Sequence, residues 1–204
     1  MTIEQERVVV QRAKSGDLNA FEVIVRDSEA LLYNLALRTM HFPEDAADVV
    51  QETYIKAYTG IGGFRGDSRL TVWLCRILHH VCVDALRKRK DTVSLSRDGT
   101  EQGLAEADIP DERFDPAALL ERKDLSERVR AALDQLPEEF RTPLLLREYA
   151  EMSYEEIGKV LSINMGTVKT RIFRARKKLC SLLTKDGNFS GENPSKPGKG
   201  GFRV

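Results

Sequence analysis

Read along its apolar and polar positions, the chain alternates at helical spacing almost everywhere and at strand spacing almost nowhere. The first amphipathic stretch is Ile3 to Lys14, with Val8, Val9 and Arg12 side by side, broken at Ser15-Gly16-Asp17. A second runs from Asn19 to about Met40 on Phe21, Ile24, Val25, Leu31, Leu32, Leu35 and Leu37, until His41-Phe42-Pro43 interrupts it. Pro43 suits a first helical turn, and Glu44, Asp45 and Asp48 suit the positive end of its dipole. That third helix, to about Thr59, is expected to bury Ala46, Val49, Val50, Ile55 and Ala57. A fourth, Leu70 to Lys90, is capped by Asp67 or Ser68 and turns Leu74, Ile77, Leu78, Val81 and Ala85 inward. Helical pattern resumes at about Ala117 to Gln135 (Leu119, Leu120, Leu125, Val129, Leu133). It continues after Pro137 with Phe140, Leu144, Leu145 and Tyr149, although Pro143 lies inside that helix.

The most informative stretch is Ser153 to Leu179. Ser153 and Glu156 make a capping box, so a short helix starts at Tyr154 with Ile157, Val160 and Leu161 on one stripe. Ser162-Ile163-Asn164 interrupts it, and Asn164 can cap a second helix from Met165. There Val168, Ile172, Ala175 and Leu179 lie within roughly 60° of one another and form the inner face. The opposite face carries Gly166, Thr170, Phe173, Arg174 and Lys177, flanked by Thr167, Lys169, Arg171, Arg176 and Lys178. Six Lys or Arg and no acid lie between Met165 and Lys178. Two helices joined by a tight turn, the second basic, have the form of a DNA-reading helix-turn-helix. A solvated basic hairpin is the plainer reading. Against it, Phe173 on the polar face suits a thymine methyl, and Gly166 near the helix start suggests the close approach of another backbone.

Charge refines this picture. Over 204 residues Lys plus Arg and Asp plus Glu are both 32, so basicity is local rather than global. Arg76, His79, His80 and the run Arg87-Lys88-Arg89-Lys90 make the fourth helix a second candidate nucleic-acid surface. Between Asp91 and Pro116, eight acids stand against two arginines with few apolar anchors, which predicts a mobile linker. Residues 185–204, rich in Gly and Pro, read as a disordered tail. The expected organisation is all-α: two small helical domains, 1–90 and 117–184, joined by the flexible acidic linker 91–116. The loop Gly60-Ile61-Gly62-Gly63-Phe64-Arg65-Gly66 lacks the Gly-Lys-Ser/Thr ending of a phosphate-binding loop. Three cysteines without framework spacing fit a reducing cytosol, and no signal peptide or spanning segment is expected. Cys75, His79 and Cys82 share one helical side, but no fourth zinc ligand accompanies them, and no metal or cofactor is expected.

Two blocks, in this order and separation, resemble the bacterial RNA polymerase sigma factors of the extracytoplasmic-function (ECF) group. LPEEFRTPLLLREYAEMSYEEIGKVLSINMGTVKTRIFRARKKL is similar to the fourth conserved region. DAADVVQETYIKAY with FRGDSRLTVWLCRILHHVCVDALRKRK is similar to the second. The resemblance implies a cytoplasmic, non-catalytic subunit that binds core RNA polymerase (β′ clamp helices and β flap), recognises and melts promoter DNA, and is held off by an anti-sigma factor, without membrane insertion. A stress or envelope response is the implied setting.

It implies polymerase docking through Asp48, Gln51, Glu52 and Lys56. It implies a flipped base of the start-proximal element held by Ile61, Phe64 and His80, with Arg76 and Arg87 on the backbone. For the upstream element, Lys169, Thr170 and Arg174 would reach base edges, Thr167, Arg171 and Arg176 phosphates, with Asn164 and Phe173 beside them. Trp73 is expected in the core. Three positions depart from the family pattern: Asn164-Met165 where Pro and a small or acidic residue are usual, Glu151 where glycine closes a helix, and the variable His80. Two other readings remain open on the residues alone: a stand-alone helix-turn-helix regulator, and a DNA enzyme such as a recombinase, for which no nucleophile or acid cluster is found.

Overall fold

A computed structural model describes residues 1–93, 125 and 127–185, and among these every regular element is helical. The elements are α1 (Ile3–Lys14), α2 (Leu18–Met40), α3 (Pro43–Gly60), a 3-10 turn (Ile61–Gly63), α4 (Leu70–Val93), α5 (described at 127–134), α6 (Glu138–Glu148), α7 (Tyr154–Leu161) and α8 (Met165–Lys185). Two compact units emerge. One holds α1 to α4 together with Glu155–Ile163, and the other holds the remaining described residues. Most of the expected linker 91–116 and almost all of the tail 185–204 lie outside the described residues.

The first unit is a bundle in which α3 lies against both α2 and α4. Its core is Ile24, Leu32, Leu35 and Ala36 of α2, Ala46, Val49 and Ala57 of α3, and Leu70, Leu74, Leu78 and Val81 of α4. Several expected faces are rotated. On α1, Val10 and Ala13 are buried and Val8 is exposed. On α4, Cys75 and Cys82 turn inward with Leu78, while Ile77 and Ala85 are half-buried. On α3, Thr53 is buried, its hydroxyl donating to the Val49 carbonyl at 2.6 Å, and Ile55 is exposed. A threonine can face a core because its hydroxyl bonds its own helix.

In the second unit α6 lies along α8. Leu144, Leu145 and Leu146 are buried, as are Val168, Ile172 and Ala175 of α8, whereas Phe140 is half-buried and Tyr149 exposed. Pro143 is tolerated because it falls in the second turn of α6: the carbonyl it leaves without an amide partner belongs to Glu139, an exposed residue. Arg141 is buried, with its guanidinium on the Asp134 carbonyl at 3.5 Å, and burial lowers its pKa.

After α6 the chain reverses at Glu151, whose φ of 49° lies in the left-handed region where a side chain is strained. Glu151→Gly is therefore expected to stabilise the protein by about 0.5–1 kcal/mol, the relief of strain exceeding glycine's entropic cost. A rise of a few degrees in thermal midpoint would show it; a fall would mean that the glutamate side chain contributes more than the strain it imposes.

Candidate nucleic-acid interface

The chain from α7 into α8 has the connection that the pattern predicts. Ser162 takes φ 55°, the Ile163 amide returns to the Gly158 carbonyl at 3.0 Å, and three residues separate Leu161 from Met165, where α8 begins. Asn164 caps α8: its Oδ1 accepts from the Thr167 amide at 2.8 Å and the Thr167 hydroxyl at 3.0 Å. The cap uses the oxygen, so what Asn164 presents outward is its amide NH2, a donor. Gly166 has a local explanation rather than the expected approach of another backbone. A Cβ there would meet Asn164 Oδ1 at 3.3 Å, so a side chain would crowd the cap. Thr170 turns its hydroxyl proton back to the Gly166 carbonyl at 2.9 Å.

The cations of α8 are not equivalent. Arg171 lies 3.5 Å from the Glu139 carboxylate and Arg176 lies 2.6 Å from that of Glu148, so both expected phosphate-gripping arginines are paired with acids of α6. Lys169 sits 5.9 Å above the Tyr154 ring, which Arg147 also approaches at 5.1 Å. Arg174, Lys177 and Lys178 are exposed and make no ion pair among the described residues. Phe173 is 63% exposed beside them. A shallow cavity of about 350 Å³ opens at the start of α8, lined by Glu139, Asn164, Thr167, Thr170, Arg171 and Arg174 among others. The sequence pattern did not single out Glu139; only the folding of α6 along α8 brings it there.

On the first unit, α3 exposes Asp48, Gln51, Glu52 and Lys56, with Lys56 bonded to Glu52 at 2.8 Å. Ile55, expected in the core, is 60% exposed within this face. Tyr58 is also exposed and meets Phe21 edge-on at 5.1 Å. Tyr54 is half-buried, its hydroxyl on Ser28 at 2.9 Å and the Val25 carbonyl at 3.2 Å, and burial raises its pKa.

Along α4, Arg76, His80 and Arg87 fall within about 40° of one another at 100° per residue and extend over roughly 16 Å. His80 and Arg87 are exposed and Arg76 is half-exposed. Ile61 and Phe64 do not join them. Both are buried, and the Phe64 ring lies 5.3 Å from Trp73, which is itself only half-buried. Burial at a relative exposure of 7% removes the open stacking face expected of Phe64. Arg65, exposed on the same loop, is the cation that the sequence reading passed over. Cys75 and Cys82 are buried, burial pushes the Cys75 thiol up to about 12, and no three potential ligands gather for a metal among the described residues.

Comparison with known proteins decides between the open readings. Residues 24–92 match sigma-70 region 2, and residues 126–179 match sigma-70 region 4. RNA polymerase sigma-H factor of Pseudomonas aeruginosa is 36% identical over 189 residues, covering 90% of this chain and 96% of that protein. The chain belongs to the ECF sigma factors. The ECF sigma factor SigW of Bacillus subtilis is 33% identical, covering 85% of this chain and 94% of that one. Among solved structures, the sigma factor RpoE of Bartonella quintana, in complex with the anti-sigma factor NepR, superposes with a TM-score of 0.68 at 26% identity. It covers 81% of this chain and 98% of that one. CnrH, in complex with the cytosolic domain of CnrY, superposes at 0.63 with 28% identity, covering 89% and 99%. The sigma factor thus carries both regions that act in transcription initiation, binding core polymerase and promoter DNA. Region 2 is what a stand-alone regulator would lack. Among the described residues, no helix is long and apolar enough to cross a membrane.

Proposed function

We propose that this sigma factor divides its work between residues 1–90, which dock on core polymerase and hold the start-proximal element, and 117–184, which read the upstream element. The region 4 match runs without a break through α7, which supports assigning that helix to the second functional domain. The observation that carries the reading is one unit with two unlike exposed faces. One presents Ile55 among Asp48, Gln51 and Glu52 on α3, suited to a protein partner; the other presents Arg76, His80 and Arg87 on α4, suited to DNA. On α8, Arg174 and Thr170, with Lys169, reach base edges beside Phe173 and the outward amide of Asn164. Thr167, Arg171 and Arg176 lie along the phosphates, the two arginines at reduced effective charge. The sigma factor contributes binding and melting in the cytoplasm; bond formation belongs to core polymerase.

Run-off transcription with purified core polymerase on a genomic promoter library tests this. A defined set of transcripts that requires the chain supports it. Retarded operator DNA without polymerase, and no transcripts with it, would overturn it. Both solved relatives are complexes with a partner protein, in one of them an anti-sigma factor, and an anti-sigma factor covering the Ile55 face supplies the off state here too, in an envelope or stress response. Between positions 50 and 54, Val50 and Thr53 are buried and Tyr54 is half-buried while Gln51 and Glu52 are exposed, so the apolar part of the proposed contact falls to Ile55 and Tyr58. Recovery from unstressed cells only as free monomer or polymerase complex would remove this part.

A further inference from the structure

The glycine-rich loop between α3 and α4 has little of its own to hold it in shape. Among the described residues, no backbone-to-backbone hydrogen bond reaches positions 65–68. A Cβ built on Gly62, Gly63 or Gly66 meets nothing within 4 Å, and Gly66 takes φ +77°. The loop is instead fastened from outside, by α1. The Lys14 ammonium donates to the Phe64 carbonyl, and the Glu6 carboxylate accepts from the Leu70 amide at 2.9 Å. Leu70 opens α4, so Glu6 occupies the place expected of Asp67 or Ser68. It satisfies one of the helix's orphan amides and sets a negative charge at its positive end.

These two residues are set apart from the other charges of α1. Glu4, Arg7 and Arg12 are exposed, whereas Glu6 and Lys14 are half-buried, at the two ends of the inward stripe that contains Val10 and Ala13. A charge turned toward a core is costly unless it is paired, and here each is paired with a loop backbone group. The clamp brackets the segment from Phe64 to Leu70, whose open residues Gly66, Asp67 and Arg65 project between the fixed ends.

We infer that Glu6 and Lys14 are positioning residues that pre-order this loop to receive the unpaired strand of the start-proximal element. The inference rests on the implied role of this loop, together with the outer face of α4, in holding that element; with Ile61 and Phe64 buried, Arg65, Gly66 and Asp67 are the loop residues open to it. Its physical basis is preorganisation: a loop fixed before binding loses less conformational entropy when DNA arrives. The clamp touches neither the Ile55 face nor α8, so its loss is felt at the melted strand alone.

The test uses holoenzyme assembled from full-length chain and core polymerase. Its probes are a single-stranded oligonucleotide of the start-proximal element and a duplex carrying only the upstream element. Glu6→Ala and Lys14→Met are expected to weaken oligonucleotide binding, and slow promoter opening, by about tenfold. Core binding and upstream-duplex binding stay within twofold, and Lys14→Arg restores the wild-type value. If Gly66→Val, which distorts the loop itself, leaves oligonucleotide binding intact, the loop is not a DNA element and the parent reading fails. If Gly66→Val weakens it but the two clamp variants do not, the parent reading stands and this inference fails. Loss of core binding and thermal stability in step with oligonucleotide binding, without rescue by Lys14→Arg, would reduce the clamp to a fold contact and also overturn it.

Discussion

Ile55→Glu is expected to abolish co-purification with core RNA polymerase while leaving the helical circular dichroism unchanged. The side chain is 60% exposed, so replacing it opens no cavity in the bundle. An apolar side chain at the centre of a protein–protein contact carries about 2–4 kcal/mol, which corresponds to roughly 30- to 1,000-fold in affinity. A carboxylate there loses that contact and must also be desolvated. Gln51→Ala combined with Glu52→Lys should have a similar outcome, through the polar rim of the same face. Val8→Glu on α1 is the control: that valine is 56% exposed, and its replacement should leave polymerase binding unaltered. Equal loss in Ile55→Glu and Val8→Glu would mean that the measurement reports general surface apolarity and not the α3 face.

Arg174→Ala is expected to cost about 1–3 kcal/mol of binding to the upstream element and to relax discrimination at one base pair. Arg174 has no carboxylate partner among the described residues, so its full charge and donor set are available to a base edge. Arg171→Ala should weaken all sequences alike. A free phosphate-gripping arginine changes the salt slope by about one unit. With Glu139 at 3.5 Å, Arg171 should change it by less. Glu139→Gln supplies the opposite sign: releasing Arg171 from its acid should raise non-specific DNA affinity and steepen the salt dependence. Titration of wild-type and variant proteins against matched and mismatched duplexes at several salt concentrations separates these outcomes. Equal loss of specificity in Arg174→Ala and Arg171→Ala would abolish the distinction between them.

The family assignment rests on the resemblance of two motif blocks; what the sequence by itself determined through its pattern is the helices, their order and the helix-turn-helix. Those features depend on local periodicity, caps and breakers, which need no knowledge of neighbours: Asn164 is a cap wherever α8 packs, and Glu151 is strained because the chain must reverse there. Where periodicity was read as burial, it failed at the edges of each stripe. Ile55 and Thr53 exchanged places because a stripe wide enough for two rows has no intrinsic centre, and only the packing of α2 and α4 against α3 chose one. Phe64 looked like an open stacking ring because glycines flank it; Trp73, nine residues on, drew it inward.

The charges show the same division. The six cations of α8 up to Lys178 are legible in the sequence, but two are tied to acids 28 and 32 positions away, a pairing that depends on α6 lying along α8. Glu6 and Lys14 are two charges among several on α1 until the fold brings the loop between Phe64 and Leu70 to them, 50 and 64 residues distant. Local chemistry sets what each helix is; which of its side chains meets solvent, core or a distant carboxylate depends on long-range packing, and that is where the functional surface of this protein is decided.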